Sequence, residues 1–464
     1  AMQVDLGTGA NSLTLAAGGN TGTVSNLQTL VGGSGADAIT LATALANASV
    51  DLGAGSDILA LANATNTASV SNTETITGGS GNDTITLSSA VSNASVDLGS
   101  GSDKLMLGNF TNSISVSNTE TIVGGTGNDA ITLESLLTTA ISVDLGSGNN
   151  TLTLATGANT GTVKNVGTLI GGTGADTITL GTAVANGSID LGSGNDTLAL
   201  GNFSSSATVA NTETITGGTG NDSVTLSGAL TTAMSVDLGG GSSKLTLANT
   251  GNTGSVSNVQ TLIGGSGADN VTLNAAMVNA SVDLGSGTDT LQLDNFTNRV
   301  SIANTETVFG GTGNDTIVLT GSNASLVVGG GGVNFITGNT GADQFVLDQY
   351  SAGNFSTIQN FSSANGDKIA LDTTGSATLS ANTYDLGGSA LVDGTTLKEV
   401  ADAASRLAYS ASNGGHGAFV YEQDTGELYY SANGNFTGGS TLIGVIDSSS
   451  GTPWTYNASN FQQV

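Results

Sequence analysis

Aspartates close glycine-rich turns at regular intervals along this sequence, and a carboxylate at the end of such a turn is suited to a hard cation. The phrase GG(S/T)G(A/N)D ends at Asp37, Asp83, Asp129, Asp176, Asp222, Asp269 and Asp315. A related phrase, DLGxGx(D/N/S), ends at Asn11, Asp57, Asp103, Asn150, Asp196, Ser243 and Asp289. Glycine permits positive φ, so Gly33, Gly35, Gly79, Gly81, Gly125, Gly127, Gly172, Gly174, Gly218, Gly220, Gly265, Gly267, Gly311 and Gly313 let neighbouring carbonyls converge on one point. One turn offers too few oxygens for the six to eight ligands of calcium, and a second turn stacked about 4.8 Å away supplies the rest. Without a divalent ion between them, carboxylates at that spacing repel, so folding and calcium are expected to be linked. The aspartates that open the second phrase, Asp51, Asp97, Asp144, Asp190, Asp237 and Asp283, either add a ligand or cap their strand. Sites using Asn11, Asn150 or Ser243 lack a carboxylate and are weaker; Lys244 stands beside Ser243 as a partial substitute for the ion.

The elements that position these turns form a long repeat. The DLG aspartates, from Asp5 to Asp283, recur at steps of 46 or 47 residues. After every turn comes a short alternating stretch such as AITL or KLML, and ASVDL or SVSNTETI closes each half, the pattern of strands with one buried face. Read as turn, strand, turn, strand, each half-unit makes one coil. Residues 1–328 are then an all-β parallel β-solenoid, β-roll-like, of about fourteen coils with a single calcium row along one edge. Phe110, Phe203 and Phe296 recur at 93 residues, two units apart, so alternate units differ in one loop. Residues 329–346 read as tandem nonapeptides, GGGGVNFIT and GNTGADQFV, with Asn334 and Asp343 nine apart and Asp343 a further ligand. Residues 347–464 hold all seven Tyr and the only Trp and form a small mixed C-terminal cap. Thr396 with Glu399 predicts a capping box opening one helix along Leu397, Val400, Ala404 and Leu407.

Composition excludes several function classes. The chain has 464 residues, 71 glycines, no cysteine and a net charge of -29 with seven Lys plus Arg. That acidity excludes nucleic acid as a partner. Zero cysteine leaves hard oxygen ligands, and no apolar run reaches the roughly 18 residues of a membrane span. The opening Ala1, Met2 reads as a cut through a longer protein, with a cloning remnant. His416, the only histidine, has no second His or Cys to join it in a transition-metal site or triad. An Asn precedes the second strand in every unit, at Asn26, Asn72, Asn118, Asn165, Asn211, Asn258 and Asn304, and reads as an amide ladder or corner. The nearby column of Glu74, Glu120, Glu213 and Glu306, interrupted by Gln28, Gly167 and Gln260, reads as a solvated face. Triplets such as those at Asn47 and Asn93 read as turns rather than glycosylation acceptors. With three Lys, one Arg and no Tyr or His in the repeats, no break in the pattern marks an active site, and the chain reads as no enzyme.

GGSGNDTITL, GGTGNDAITL and the tandem GGGGVNFIT GNTGADQFV resemble the repeats-in-toxin (RTX) family of calcium-binding proteins. GADQFVLDQY, IQNFSSANGDKIALD and AFVYEQDTGELYYSANG are similar to the C-terminal region by which type I secretion exports that family. The resemblance implies multiple Ca2+ ions, the type I secretion machinery as a partner, an uncleaved C-terminal export signal and folding after exit into calcium. It places the chain outside the cell or on a bacterial surface. The period of 46 or 47 residues departs from the family's nine. The leading functional expectation is a secreted calcium-rigidified scaffold of a surface layer, matrix or adhesin stalk, with self-assembly or cell-surface polysaccharide as its contact. The alternatives are an ice- or glycan-binding solenoid, or the export tail of a larger enzyme or toxin.

Overall fold

A computed structural model of the chain describes residues 2–348, 353–373, 384, 390–392, 394–411, 413–437, 439–448 and 452–464. Gln349 and Tyr350 of the C-terminal motif lie outside the described residues. The alternating segments form strands of three to eight residues that pair in parallel from turn to turn.

Each 46- or 47-residue repeat contributes five strands. Between Asp97 and Asp144 these are Lys104–Met106, Ser113–Ser117, Thr121–Gly125, Ala130–Leu133 and Ser142–Gly146. Consecutive strands join opposite sheets: Lys104–Met106 pairs with Thr121–Gly125, and Ser113–Ser117 with Ala130–Leu133. Two strands therefore make one turn of the solenoid, and one repeat makes two and a half turns. Equivalent positions of successive turns lie 17 or 20 residues apart, as in Ile58 with Thr75 and Ala38 with Ile58, or occasionally 21. The expectation of one coil per half-unit and about fourteen coils is corrected: the chain winds about twenty turns. Its cause is the three-residue strand after each DLGxGx turn, too short to separate from the turn by pattern alone.

The chain forms two compact units, Ala1–Val224 and Thr225–Val464. In the first, one sheet holds Met2–Asp5, Thr21–Ser25, Ala38–Leu41, Ile58–Ala60, Thr75–Gly79 and Ala94–Gly99 in order. The facing sheet holds Ser12–Thr14, Thr29–Gly33, Ala48–Gly53, Thr67–Ser71, Thr84–Leu87 and Lys104–Met106. Alternate residues point inward, so Val50, Leu52, Leu59, Val70, Val96, Leu98, Leu105 and Ile122 are buried. Each such side chain stabilises the fold by about 1.5–3 kcal/mol. Because a repeat holds an odd number of strands, successive repeats are half a turn out of phase: Ala94–Gly99, with Asp97, is in the first sheet, and Ser142–Gly146, with Asp144, is in the second.

The second unit winds in the same way as far as Lys368–Leu371 and then adds the cap. Leu397–Val400 pairs in parallel with Ala418–Glu422, which runs antiparallel to Glu427–Ser431, itself antiparallel to Thr441–Ser448. Thr441–Ser448 returns onto Phe355–Phe361, and Phe461–Gln463 onto Lys368–Leu371, so both final solenoid strands are covered rather than left as open edges. Phe361, Tyr421, Trp454, Tyr456 and Phe461 fill the cap in one chain of ring contacts. The Arg406 guanidinium pairs with Glu422, whose side chain is 1% exposed, and lies 3.8 Å over the Tyr429 ring. The expected capping box is corrected. Leu397–Val400 is a strand that buries Leu397, while the Thr396 hydroxyl accepts from Val392 N–H and donates to Ala390 O. The helix is Ala403–Leu407, capped by Asp402, whose carboxylate accepts from Ser405 N–H. Among the described residues no helix is long and apolar enough to cross a membrane.

Candidate metal centres

The aspartate turns stack in columns of neighbouring turns. In one column Asp83 Oδ1 accepts from the backbone N–H and the Nδ2 of Asn66, both at 2.8 Å. The Asp83 N–H in turn donates to Asp103 Oδ1 at 2.7 Å, and the Asp103 N–H to Glu120 Oε2 at 2.7 Å. The order Asn, Asp, Asp, Glu repeats as Asn20, Asp37, Asp57, Glu74, as Asn159, Asp176, Asp196, Glu213, and as Asn252, Asp269, Asp289, Glu306. Two columns carry an amide in third place: Asn112, Asp129, Asn150, and Asn298, Asp315, Asn334. Glycines make the stacking possible. A Cβ at Gly81 would overlap the Ala64–Thr65 peptide of the preceding turn, and one at Gly101 would overlap the Gly81 carbonyl.

Every one of these aspartates is buried, and only one of its oxygens is satisfied. Oδ2 of Asp37, Asp57, Asp83, Asp103, Asp129, Asp176, Asp196, Asp269, Asp289 and Asp315 is buried without a hydrogen-bond partner. That oxygen sits in a cradle made by its own turn: Asp269 Oδ2 and Asp315 Oδ2 lie 2.5 and 2.9 Å from where a Cβ on Gly264 or Gly310 would be. Turns ending in Asn show what the cradle contains. Asn334 Nδ2 donates to Gly329 O, Gly330 O and Gly331 O at 3.0–3.3 Å, and Asn150 Nδ2 to Leu145 O and Gly146 O at 3.1 and 3.3 Å. The cradle is thus ringed with carbonyl oxygens. An amide satisfies it with its own hydrogens, whereas a carboxylate adds another unshared oxygen and needs a cation. Among the described residues no group of three or more His, Cys, Asp or Glu side chains converges, so a cation in the cradle would take its remaining ligands from backbone carbonyls. Two stacked turns supply two carboxylates and several carbonyls, the donor set of calcium rather than of a softer metal.

The electrostatics agree. Burial pushes the Asp57, Asp83, Asp103, Asp129, Asp196 and Asp289 carboxyls above the ordinary range, and lifts Asp315 to about 6. A carboxylate made costly by burial and facing oxygens regains its charge by binding a cation.

The columns do not form a single row, which corrects that expectation. In the first unit Asp83, Asp103, Asp176 and Asp196 lie where the chain crosses from the first sheet to the second, and Asp37, Asp57 and Asp129 where it returns. Asp222, also buried, accepts Ser205 N–H at 2.9 Å. In the second unit the Asp269 and Asp289 column lies on one edge and the Asp315 and Asn334 column on the other. Asp343 differs: its Oδ1 accepts from Ser325 N–H and its Oδ2 from Asn339 N–H, and its own N–H donates to Asp367 Oδ1. Burial lifts its carboxyl to about 6 as well.

Asp51, Asp97, Asp144, Asp190, Asp237 and Asp283 are not brought into the cradles. Each accepts the N–H of the glycine two residues on and an Nδ2 from an asparagine one turn later, as Asp51 does from Gly53 and Asn72. Those asparagines hold positive φ between 47° and 57°, so the expected corner is present and its amide meets an aspartate rather than another amide. The glutamate column is not a solvated face: Glu74, Glu120, Glu213 and Glu306 end the aspartate columns. Their spacing of 17 residues from the aspartate, one turn, was the available signal.

Fold and site together define a class: a parallel β-solenoid whose stacked glycine-aspartate turns present buried, unshared oxygen donors suited to a hard cation. The sequence model of the RTX calcium-binding nonapeptide repeat (4 copies) matches residues 71–89, 116–134, 209–228, 303–323 and 319–349. The chain accordingly carries RTX calcium-binding repeats, and its cofactor is calcium, several ions per chain. Geometry explains the match despite the long sequence period. Leu326 pairs with Gln344, 18 residues on, so a turn is two nonapeptides long, and 46 or 47 residues are two and a half such turns. Asn334 and Asp343, nine apart, fall on opposite edges for the same reason. No curated protein matches the chain significantly.

Proposed function

We propose that this calcium-binding repeat protein is an exported scaffold, a component of a surface layer, extracellular matrix or adhesin stalk, that folds and stiffens when calcium fills its turns and that performs no catalysis. The observation that carries the reading is the distribution of the site: the same buried, half-satisfied carboxylate recurs on both edges of the solenoid instead of marking one cleft. A catalyst concentrates its chemistry at one break in a pattern, and a scaffold repeats it. The scarcity of cations in the repeats and the likeness of the C-terminal region to a type I export region support the same reading. A fold that its cofactor stabilises opens readily where calcium is scarce and is held firmly where calcium is plentiful, which suits passage through an export channel. Sedimentation velocity and negative-stain microscopy of the full chain, in calcium and in chelator, test the scaffold role. Ordered assemblies that form in calcium and dissolve in chelator are expected. A strictly monomeric particle in both would overturn it.

A further inference from the structure

The residue that ends each column changes with the turn before it, and hydrogen bonding does not account for the change. Asp57, Asp103, Asp196 and Asp289 donate their N–H groups to Oε2 of Glu74, Glu120, Glu213 and Glu306 at 2.7–2.8 Å. Asn11 and Ser243 donate theirs to Oε1 of Gln28 and Gln260 at 2.6 and 2.7 Å, and Asn150 is followed by Gly167. Glutamine makes the same bond, yet every glutamate at this place follows an aspartate and none follows a neutral residue.

Repulsion alone favours the opposite arrangement, since each of these bonds holds a glutamate carboxylate against a residue that is itself an acid. The aspartates concerned are at most 1% exposed, and Oδ2 of each has no partner. The corner residue follows the same division. Thr73, Thr119, Thr212 and Thr305 precede the glutamates, buried and donating to the carbonyl two residues back. Leu27, Val166 and Val259 stand there in the other repeats, equally buried. Where the acids meet, the corner residue is polar; where they do not, it is apolar. Glu306 has one further neighbour, Asn323 Nδ2 at 3.5 Å from Oε1.

We propose that each Asp–Glu pair, Asp57 with Glu74, Asp103 with Glu120, Asp196 with Glu213 and Asp289 with Glu306, forms a further divalent-cation site beside the site between two glycine turns, with both carboxylates as ligands and calcium as the ion. The site rests on the reading of the turns as calcium-binding, and it adds one ion to each column that ends in glutamate. Columns ending in Gln or Gly have none.

The test is calcium counted by equilibrium dialysis on the full chain, with far-UV circular dichroism on the same samples. Glu120→Gln keeps the N–H acceptor that Gln28 and Gln260 already supply elsewhere in the chain, so it separates charge from hydrogen bonding. It is expected to bind one calcium fewer, and Glu74→Gln/Glu120→Gln two fewer, with the β signal in calcium unchanged. Built the other way, Asn150→Asp/Gly167→Glu is expected to bind one calcium more than Asn150→Asp alone. Unchanged counts in the glutamine variants, or equal counts in the second comparison, overturn the proposal. A parent chain that binds no calcium at all is a different failure, that of the turn sites themselves.

Discussion

Replacing Asp83 by asparagine should stabilise the fold without calcium and lose most of that gain when calcium is present. In chelator the Asp83 side chain is a buried carboxylate whose Oδ2 has no partner and whose pKa is raised by burial. Leaving a buried polar group unsatisfied costs about 1–3 kcal/mol, and a charged one more. The Asp83→Asn amide keeps the oxygen that Asn66 uses and gains two hydrogens for carbonyls of its own turn. Asn66 shows the geometry, donating to Ala62 O and Ala64 O at 3.0 and 2.6 Å. Two hydrogen bonds add about 0.5–1.5 kcal/mol each, so the variant gains about 2–6 kcal/mol without metal. At roughly 2–4 °C per kcal/mol for a unit of this size, Tm in chelator rises by at least about 4 °C. In calcium the variant has lost an anionic ligand and with it an ion. At a concentration 100 times Kd one ion stabilises the parent by about 2.7 kcal/mol, so the variant's Tm relative to the parent's is roughly 5–10 °C lower in calcium than in chelator. Calorimetric melts of parent and variant in both buffers decide it. A variant that melts lower than the parent in chelator, or whose Tm difference from the parent is the same in both buffers, refutes the claim that the cradle needs a cation.

The remaining expectations separate metal from framework. Asn72→Ala removes the bond to Asp51 and forces alanine into a conformation with φ 50°, so it should cost about 1–3 kcal/mol by urea titration, equally in calcium and in chelator. Burial lifts Asp315 and Asp343 from 3.8 to about 6, so in chelator the folded chain holds more protons than the unfolded one between those values. The stabilisation they give is complete below about pH 3.8 and lost as pH rises through about 6, so urea midpoints in chelator should fall between pH 4 and 7, while in calcium, where protons compete with the ion, they should rise. Arg406→Met leaves the Glu422 carboxylate buried without its cation and should cost the cap about 3–5 kcal/mol. Hydrogen exchange should then show lost protection in Ala418–Glu422 with Ala94–Gly99 unchanged.

The turns were legible because their chemistry is carried by residue types that little else can replace. Gly81 must be glycine where two turns touch, and Asp83 must carry the charge, so the repeat and its ligands stand out in the primary structure. The winding was not legible in the same way. Which edge a turn occupies depends on whether the number of strands since the last turn is odd or even, and Lys104–Met106 is a strand of only three residues beside a turn. The interval of 93 residues between Phe110 and Phe203 held the information, since it equals five complete turns and returns the loop to the same edge. Glu120 was misread because it is remote in sequence from Asp103 and comes beside it only when the turn length is known. Thr396 fits a capping pattern, but Leu397 is buried by the strand it starts, and tertiary packing overrode the local signal.

The central claim is that cations between stacked turns hold this fold together. Far-UV circular dichroism of the full chain, stripped with chelator and then titrated with calcium, tests it most directly. The expected result is a β signal that is weaker and melts at lower temperature in chelator, rises to saturation with calcium and falls again on chelation. A β signal of full strength in chelator, with a melting curve that calcium leaves unmoved, would contradict it.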